Sequence, residues 1–395
     1  MASSKREPLF TPDFLRVLAS GHIFFLCFQS LVTTMPLYVA ADHKWQVGMV
    51  VGTVSLASLL ARPLAGFWVD RWGRRPFILL GTLLSALALG GYAISPNPYA
   101  LLPLRILHGL ALSLFTTANG ALAFDLAPPQ RRGEAVGFMT LASNSVILYG
   151  PLGAAILADR VGYVPYFLIS SLLAMTMGPL ALGLPKEQDR ALLPGGPVRL
   201  RPVSAKALAP SLAFTGVSIG FGVVQAFLAL LALERGLGNP GLFFLTVGLL
   251  MVLSRPLLGY AADRYGRGNV AVPGLVGLGV TMLLLAGTQD QGAFVALGAL
   301  YGLSFSAAHV GLMTLAVERA GMAERGLAIA TFGIAFDGGA LLGSSALGPL
   351  ADRAGLGSVY IAAGSTGFVG AAAAFLVSRT PAPRAAEEAS PGRHA

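Results

Sequence analysis

Asp337 lies in the middle of an apolar run, "IATFGIAFDGGALLG" (329–343), the one residue of the chain's 18 acidic side chains that does so. A charged group at the centre of a bilayer costs about 2.5–3.5 kcal/mol on insertion scales, so its presence calls for a use. Desolvation penalises the charged form, which suits a protonatable coupling site; the structural alternative is a hydrogen bond or ion pair between helices. We favour coupling. Other polar residues share the apolar runs. Arg105 begins a partly polar stripe with His108, Leu112, Thr116 and Asn119 at helical spacing in and beyond "LPLRILHGLALS". His22, Gln29 and Thr33 share a face, Tyr301, Ser304 and His309 form a third group, and Gln225 stands in a further run. His309 is a candidate to exchange protons or to pair with Asp337. Arg62 and Arg255, each followed by proline, read as side chains that snorkel to the nearer membrane surface.

The elements that must position these groups are long apolar helices. The chain is 55% hydrophobic and only 11% charged, whereas a soluble domain carries about a quarter of its residues as charges. Its apolar runs are about 20 residues long, enough to cross about 30 Å of hydrocarbon at 1.5 Å per residue. About twelve such spans can be parsed, which predicts an all-α integral membrane protein. The excess of cations follows topology and gives no reason to expect a nucleic-acid partner. Arg71, Arg74, Arg75, Arg131, Arg132, Arg264, Arg267, Arg319 and Arg325 all fall on one side, while only Lys44, Arg160, Arg235 and Arg353 fall on the other. By the positive-inside rule both termini are expected in the cytoplasm. The first apolar run reads as a retained helix rather than a signal peptide, and the single Cys27 allows no intramolecular disulfide.

The chain is also duplicated. "RPLAGFWVDRWGRR" (62–75) returns as "RPLLGYAADRYGRG" (255–268), 193 positions later. At the same offset Arg132-Gly133 meets Arg325-Gly326, Asp159-Arg160 meets Asp352-Arg353, and Asp125 meets Glu318. Asn144 is the repeat partner of Asp337. The expected organisation is a cytoplasmic N-terminus (1–13), a six-helix bundle (14–184), a cytoplasmic linker (185–206), a second bundle (207–379) and a disordered tail (380–395). Six spans return the chain to the same face, so the halves are parallel repeats about an axis along the membrane normal.

With these motifs in place, the chain resembles the major facilitator superfamily. "GFWVDRWGRR" resembles the family's signature loop between spans 2 and 3, and "GYAADRYGRG" its weaker copy between spans 8 and 9. The resemblance implies twelve helices in two pseudo-symmetric bundles, with spans 1, 4, 7 and 10 around a central cavity. It implies a cytoplasmic gate: Asp70 meets the positive end of span 11 in the outward-open state, and Arg74 pairs with Asp125. Gly66 permits a close helix approach and Gly73 a tight turn, while Arg71 and Arg75 set topology. Asp263, Gly266, Arg267 and Glu318 form the second copy. Arg105 and Gly109 match the family's fourth-span motif, with His108 where glutamine is usual, and the resemblance ties Arg105 to proton coupling or helix packing. Gly137, Gly150 and Pro151 match part of a span-5 motif of proton-exchanging exporters that packs against span 8, whereas Val146, Ala154 and Ala155 replace other glycines of it.

The expected function is therefore secondary transport by alternating access: proton-coupled export of a small amphiphilic or modestly polar solute, such as a drug, sugar or metabolite. Uptake by proton symport is the runner-up, and a transporter-like receptor the distant one. The cavity candidates are largely apolar, and only Arg105 is well placed among cations. No metalloprotease, serine-hydrolase or paired-aspartate signature occurs, nor a phosphate-binding Gly-x4-Gly-Lys-Ser/Thr loop. An enzyme, an ATP-driven pump, a cofactor and a metal are accordingly not expected. The expected partners are a small solute, protons and the lipid of a cell (inner) membrane, around a monomer.

Overall fold

The structure is a computed structural model that describes residues 8–39, 42–94, 96–184, 203–321 and 324–380. Most of the predicted linker and tail lie outside the described residues. Thirteen α-helices form the described chain: α1 (Pro12–Tyr38), α2 (Lys44–Trp72), α3 (Arg75–Tyr92), α4 (Pro98–Leu126), α5 (Arg132–Val161), α6 (Tyr163–Met175), α7 (Met177–Leu182), α8 (Ala205–Glu234), α9 (Gly241–Tyr265), α10 (Arg267–Gly287), α11 (Gln291–Ala320), α12 (Arg325–Leu341) and α13 (Gly348–Arg379). Together they make 12 helices long and apolar enough to cross a membrane. The sixth span is α6 with α7. The eleventh continues from α12 through a π-helical turn, Leu342–Ala346, into the start of α13.

Helix boundaries follow local chemistry. Thr11 and Asp290 accept hydrogen bonds from the backbone of Phe14 (3.2 Å) and Ala293 (2.7 Å), capping α1 and α11. Gly73, Gly162, Gly266 and Gly355 hold φ of 90°, 84°, 97° and 79° at sharp reversals between spans. These values lie in the region that side chains disfavour. Gly73 and Gly162 stand 193 positions before Gly266 and Gly355, so the duplication is a duplication of turns as well as of residues.

Within the first half α2 packs on α4, α3 on α4 and α6, and α1 on α5. In the second half α9 packs on α11, α10 on α11 and α13, and α8 on α12. Between halves the main contacts are α1 with α8, α2 with α12 and α13, and α5 with α9. The last two are repeat-related seams, spans 2 with 11 and 5 with 8, flanking the centre. Outward-facing Leu60, Leu253, Leu257 and Val369 are highly exposed, an apolar surface suited to lipid.

Candidate functional site

Arg62 does not snorkel. It stands ten residues from the end of α2, about 15 Å inside at 1.5 Å per residue. From there it reaches across the 2–11 seam, where its Nη2 donates to Asp337 Oδ2 at 2.6 Å. The Asp337 side chain is 11% exposed and that of Arg62 30% exposed. An opposite charge on the neighbouring helix is nearer than the membrane surface, and attraction strengthens where water is excluded. The pair joins the two halves of the chain.

Its repeat-related counterpart is polar but not ionic. Arg255 occupies the register of Arg62 on α9, and Asn144 that of Asp337 on α5. With its amide oxygen turned toward the guanidinium, Asn144 Oδ1 accepts from Arg255 Nη1 at 2.6 Å and Nη2 at 3.2 Å. Arg255 therefore does not snorkel either. The two seams carry the same bridge with one charge missing.

Beyond the bridges, both seams close toward the face opposite the arginine-rich turns. A Cβ on Gly48 would lie 2.1 Å from the Ser344 carbonyl oxygen, and one on Gly248 would lie 2.4 Å from the backbone nitrogen of Leu148. Only a residue without Cβ lets these backbones meet. Ser345 donates to the Gly48 carbonyl at 3.2 Å, and the π-helical turn that presents Ser344 and Ser345 lies at this contact. At the rim, Asp352 accepts from the backbone N–H groups of Lys44 (2.7 Å) and Trp45 (3.1 Å), the first turn of α2. Lys44 also pairs with Glu234 at 3.0 Å.

At the arginine-rich face the halves are apart. The predicted engagement of Asp70 with span 11 is not made: its side chain is 78% exposed and meets only Arg74, at 3.7 Å. Gly66 faces open space, so the expected close approach is also absent. The reason is geometric: two rigid bundles that meet at one face diverge at the other. Within each half the gate pairs are formed, Arg74 with Asp125 at 3.1 Å and Arg267 with Glu318 at 2.8 Å and with Asp263. Gly73 and Gly266 make the turns. Arg71 lies exposed, 6.0 Å from the Phe67 ring centre, whereas Arg75 does more than set topology. It donates to the Ala181 and Leu182 carbonyls at 3.2 and 2.6 Å, capping the sixth span.

The predicted polar stripe of α4 divides. Arg105 is buried and donates to the Val50 and Val51 carbonyls of α2 at 2.9 and 3.3 Å, while His108 Nδ1 meets the Tyr92 hydroxyl at 3.0 Å. Both are buried packing groups in the interior of the first bundle. Thr116 and Asn119 line a cavity: with Phe25, Phe115, Met139, Thr140 and Ser143 they enclose about 280 Å³ between α1, α4 and α5. His22 bonds the Ala142 carbonyl at 2.7 Å and the Tyr149 hydroxyl, and Thr33 donates to the Pro151 carbonyl at 2.8 Å, so both tie α1 to α5. Gln29 and Gln225 are half-buried and bond no other described side chain. His309 does not pair with Asp337; it sits among the rings of Phe214, Phe305 and Phe332 at 5.5, 6.1 and 5.6 Å. Tyr301 is buried against Phe243 and Phe305, and Ser304 against α10 at Gly277. The span-5 glycines do not make the contact with span 8: Gly137 faces open space and Gly150 faces Leu26. The glycines of that seam are on α9, where Gly241 and Gly248 receive Leu152 and Leu148.

A family model described as Major Facilitator Superfamily matches residues 17–251 and again 211–395. The chain belongs to the major facilitator superfamily. The multidrug resistance protein MdtG of Citrobacter koseri is 26% identical over 279 residues, 65% of this chain and 67% of that protein. A multi-drug resistance efflux pump PmrA homolog of Lactococcus lactis is 26% identical over 281 residues, 67% of this chain and 69% of that protein. Among solved structures, a bacterial homolog of the human lysosomal transporter Spinster, inward-facing and unoccupied, shares the fold at a TM-score of 0.74 and 14% identity, covering 95% of this chain and 98% of that one. The nucleoside transporter NupG does so at 0.73 and 15%, covering 93% and 100%. Family membership and twelve apolar helices make the chain a multi-pass membrane transporter of this superfamily.

Proposed function

We propose that this transporter is a proton-coupled exporter of small organic solutes, and that Asp337 carries the coupled proton with Arg62 as its counter-ion. The observation that carries the reading is the Arg62–Asp337 pair, a titratable bridge between the two moving bodies. Of the groups facing the Asp337 carboxyl, Arg62 is the charged one; His309 is held among aromatic rings. A proton on Asp337 removes the charge that Arg62 holds, which frees α2 and α12 to separate. Loss of the proton restores the pair. The positive-inside rule makes the open, arginine-rich face cytoplasmic, so the paired state is the one in which a proton has been released inward and solute is admitted. Relatives named as multidrug resistance and efflux proteins support the outward direction of the solute.

The ends of the 2–11 seam supply reciprocal latches. Asp352, at the C-terminal end of span 11, caps the N-terminus of α2 on the closed face. Asp70, at the C-terminal end of α2, does the same for α12 when the cytoplasmic face closes. Each contact sets a carboxylate on a positive helix end.

The test is a pH-sensitive dye in sealed proteoliposomes challenged with drugs, sugars and metabolites. A solute that is exported in exchange for protons, with exchange abolished but solute binding kept in Asp337→Asn, supports the reading. Transport without proton movement, or an Asp337→Asn variant that exchanges normally, overturns it. Solute and proton moving in the same direction establishes symport instead.

A further inference from the structure

Four charged side chains lie well inside the described spans: Arg62, Arg105, Arg255 and Asp337. Three have their charge dealt with. Arg62 and Asp337 neutralise one another. Arg105 is sealed between helices against two carbonyl groups, with its guanidinium 5.9 Å from the Tyr92 ring centre. Arg255 is different. No carboxylate of the described residues pairs with it, and its partner is the neutral Asn144. A guanidinium offers five N–H donors, and the Asn144 oxygen takes those of only two nitrogens at one edge. Arg62 Nε and Arg105 Nη1 are buried without a partner, but no nitrogen of half-buried Arg255 is, so its remaining donors are not sealed inside the protein. They lie beside Asn144, in the repeat register of the Arg62–Asp337 bridge.

We propose that Arg255 is the recognition point for cargo, and that the cargo is an organic anion with an apolar body. This deepens the transport reading above and rests on it. A cation at this depth is expensive unless paired, and a solute carboxylate or phosphonate supplies the counter-charge with charge-assisted, two-point hydrogen bonds. Asn144 holds the guanidinium edge without cancelling its charge; an aspartate there would cancel it, as Asp337 does for Arg62. The apolar body has a surface to meet. His309 lies within electrostatic reach of Arg255 and is ringed by Phe214, Phe305 and Phe332. Half-buried Phe221 and Phe336 extend the ring cluster, 5.0 Å apart. The proton therefore has one arginine and the solute the other.

The test uses three radiolabelled probes with one naphthalene body and different heads: naphthylacetate, naphthylacetamide and naphthylethylammonium. Equilibrium binding is measured on the full chain in nanodiscs, for the wild type, Arg255→Gln, Arg255→Lys and Asn144→Asp. The acetate should bind wild type about tenfold or more tightly than the amide, as expected for a hydrogen bond to a charged group. That preference should disappear in Arg255→Gln and in Asn144→Asp, and survive in part in Arg255→Lys. Asn144→Asp keeps the arginine and adds only a competing carboxylate, so its loss of preference does not depend on Arg255→Gln folding. Acetate that binds wild type no more tightly than amide, or a preference unchanged in both Arg255→Gln and Asn144→Asp, overturns the proposal. Failure of the transport reading looks different: the acetate binds through Arg255 but never crosses a sealed vesicle. Failure of this inference alone leaves solute crossing with no dependence on its head group.

Discussion

The two seams between the halves are related by one duplication, yet they are built for different work. In the 2–11 seam, α2 meets span 11 through an ion pair, a π-helical turn with two serines, and a carboxylate cap at the rim. In the 5–8 seam the bridge is Arg255 on a neutral amide, and the contact above it is leucine on glycine. One seam can respond to a proton; the other has no titrating carboxylate at its bridge. A single position of the repeat, Asp337 against Asn144, separates a bridge with a titratable carboxylate from one in which the arginine meets a neutral amide.

The largest expected effect is at the ion pair. Asp337→Asn or Arg62→Gln alone should abolish proton exchange, and each should lower thermal stability in nanodiscs by as much as about 3 kcal/mol, because a lone intramembrane charge remains. The double variant should recover much of that stability without recovering exchange. Recovery of exchange as well would make the pair purely structural.

Next come the glycine contacts. Gly48→Ala places a methyl 2.1 Å from a carbonyl oxygen, and Gly248→Ala places one 2.4 Å from a backbone nitrogen. Each should push the closed face open, read as new labelling of cysteines introduced just beneath the rim. Equal effects would show that both seams carry the closed face; an effect of Gly48→Ala alone would give that role to the 2–11 seam.

Acidification should act on one seam only. Asp337 holds Arg62 in its ionised form, so the bridge is present at the higher pH and lost as the pH falls through its protonation. Spin-label distances across 2–11 should lengthen on acidification, and those across 5–8 should not; in Asp337→Asn neither should respond. Movement of both seams in that variant would locate the responding group elsewhere.

The smallest effects belong to the rim. Asp352→Ala should shift the equilibrium toward opening of that face by about 1 kcal/mol, the usual worth of a helix cap. Lys44→Ala, which removes an exposed pair, should cost less than about 1 kcal/mol. Asp70→Asn should leave the stability of this conformation unchanged, since Asp70 makes only a 3.7 Å contact here, while slowing turnover. The rates of spin-label exchange between conformations separate these cases.

The family and fold were legible in the sequence because a bilayer imposes a length and the turns impose glycine. The apolar runs gave the spans, and the doubled "DRWGRR" and "DRYGRG" turns gave the repeat. Asp337 was legible because a lone carboxylate in such a run needs a reason. Its partner was misread. Arg62 looked like a snorkelling side chain, for the helix that carries Asp337 lies 275 positions away in the chain. The alignment of Arg62 with Arg255 and of Asn144 with Asp337 held a clue, since four polar positions in two repeat registers suggest two related pairs. For Arg105 the sequence left coupling and helix packing both open, and the structure shows its contacts to the Val50 and Val51 carbonyls, because a polar stripe on one helix does not say where the bundle interior begins.

The sequence by itself determined the twelve spans, the repeat, the turns and which few polar groups enter the membrane, because these follow from local chemistry and the cost of burying charge. Only the tertiary structure decided which of those groups meet, which face is closed and which arginine keeps its charge uncompensated. Those are properties of the seams between bundles, where a side chain's partner is set by the docking of distant helices, and no periodicity along one helix records them.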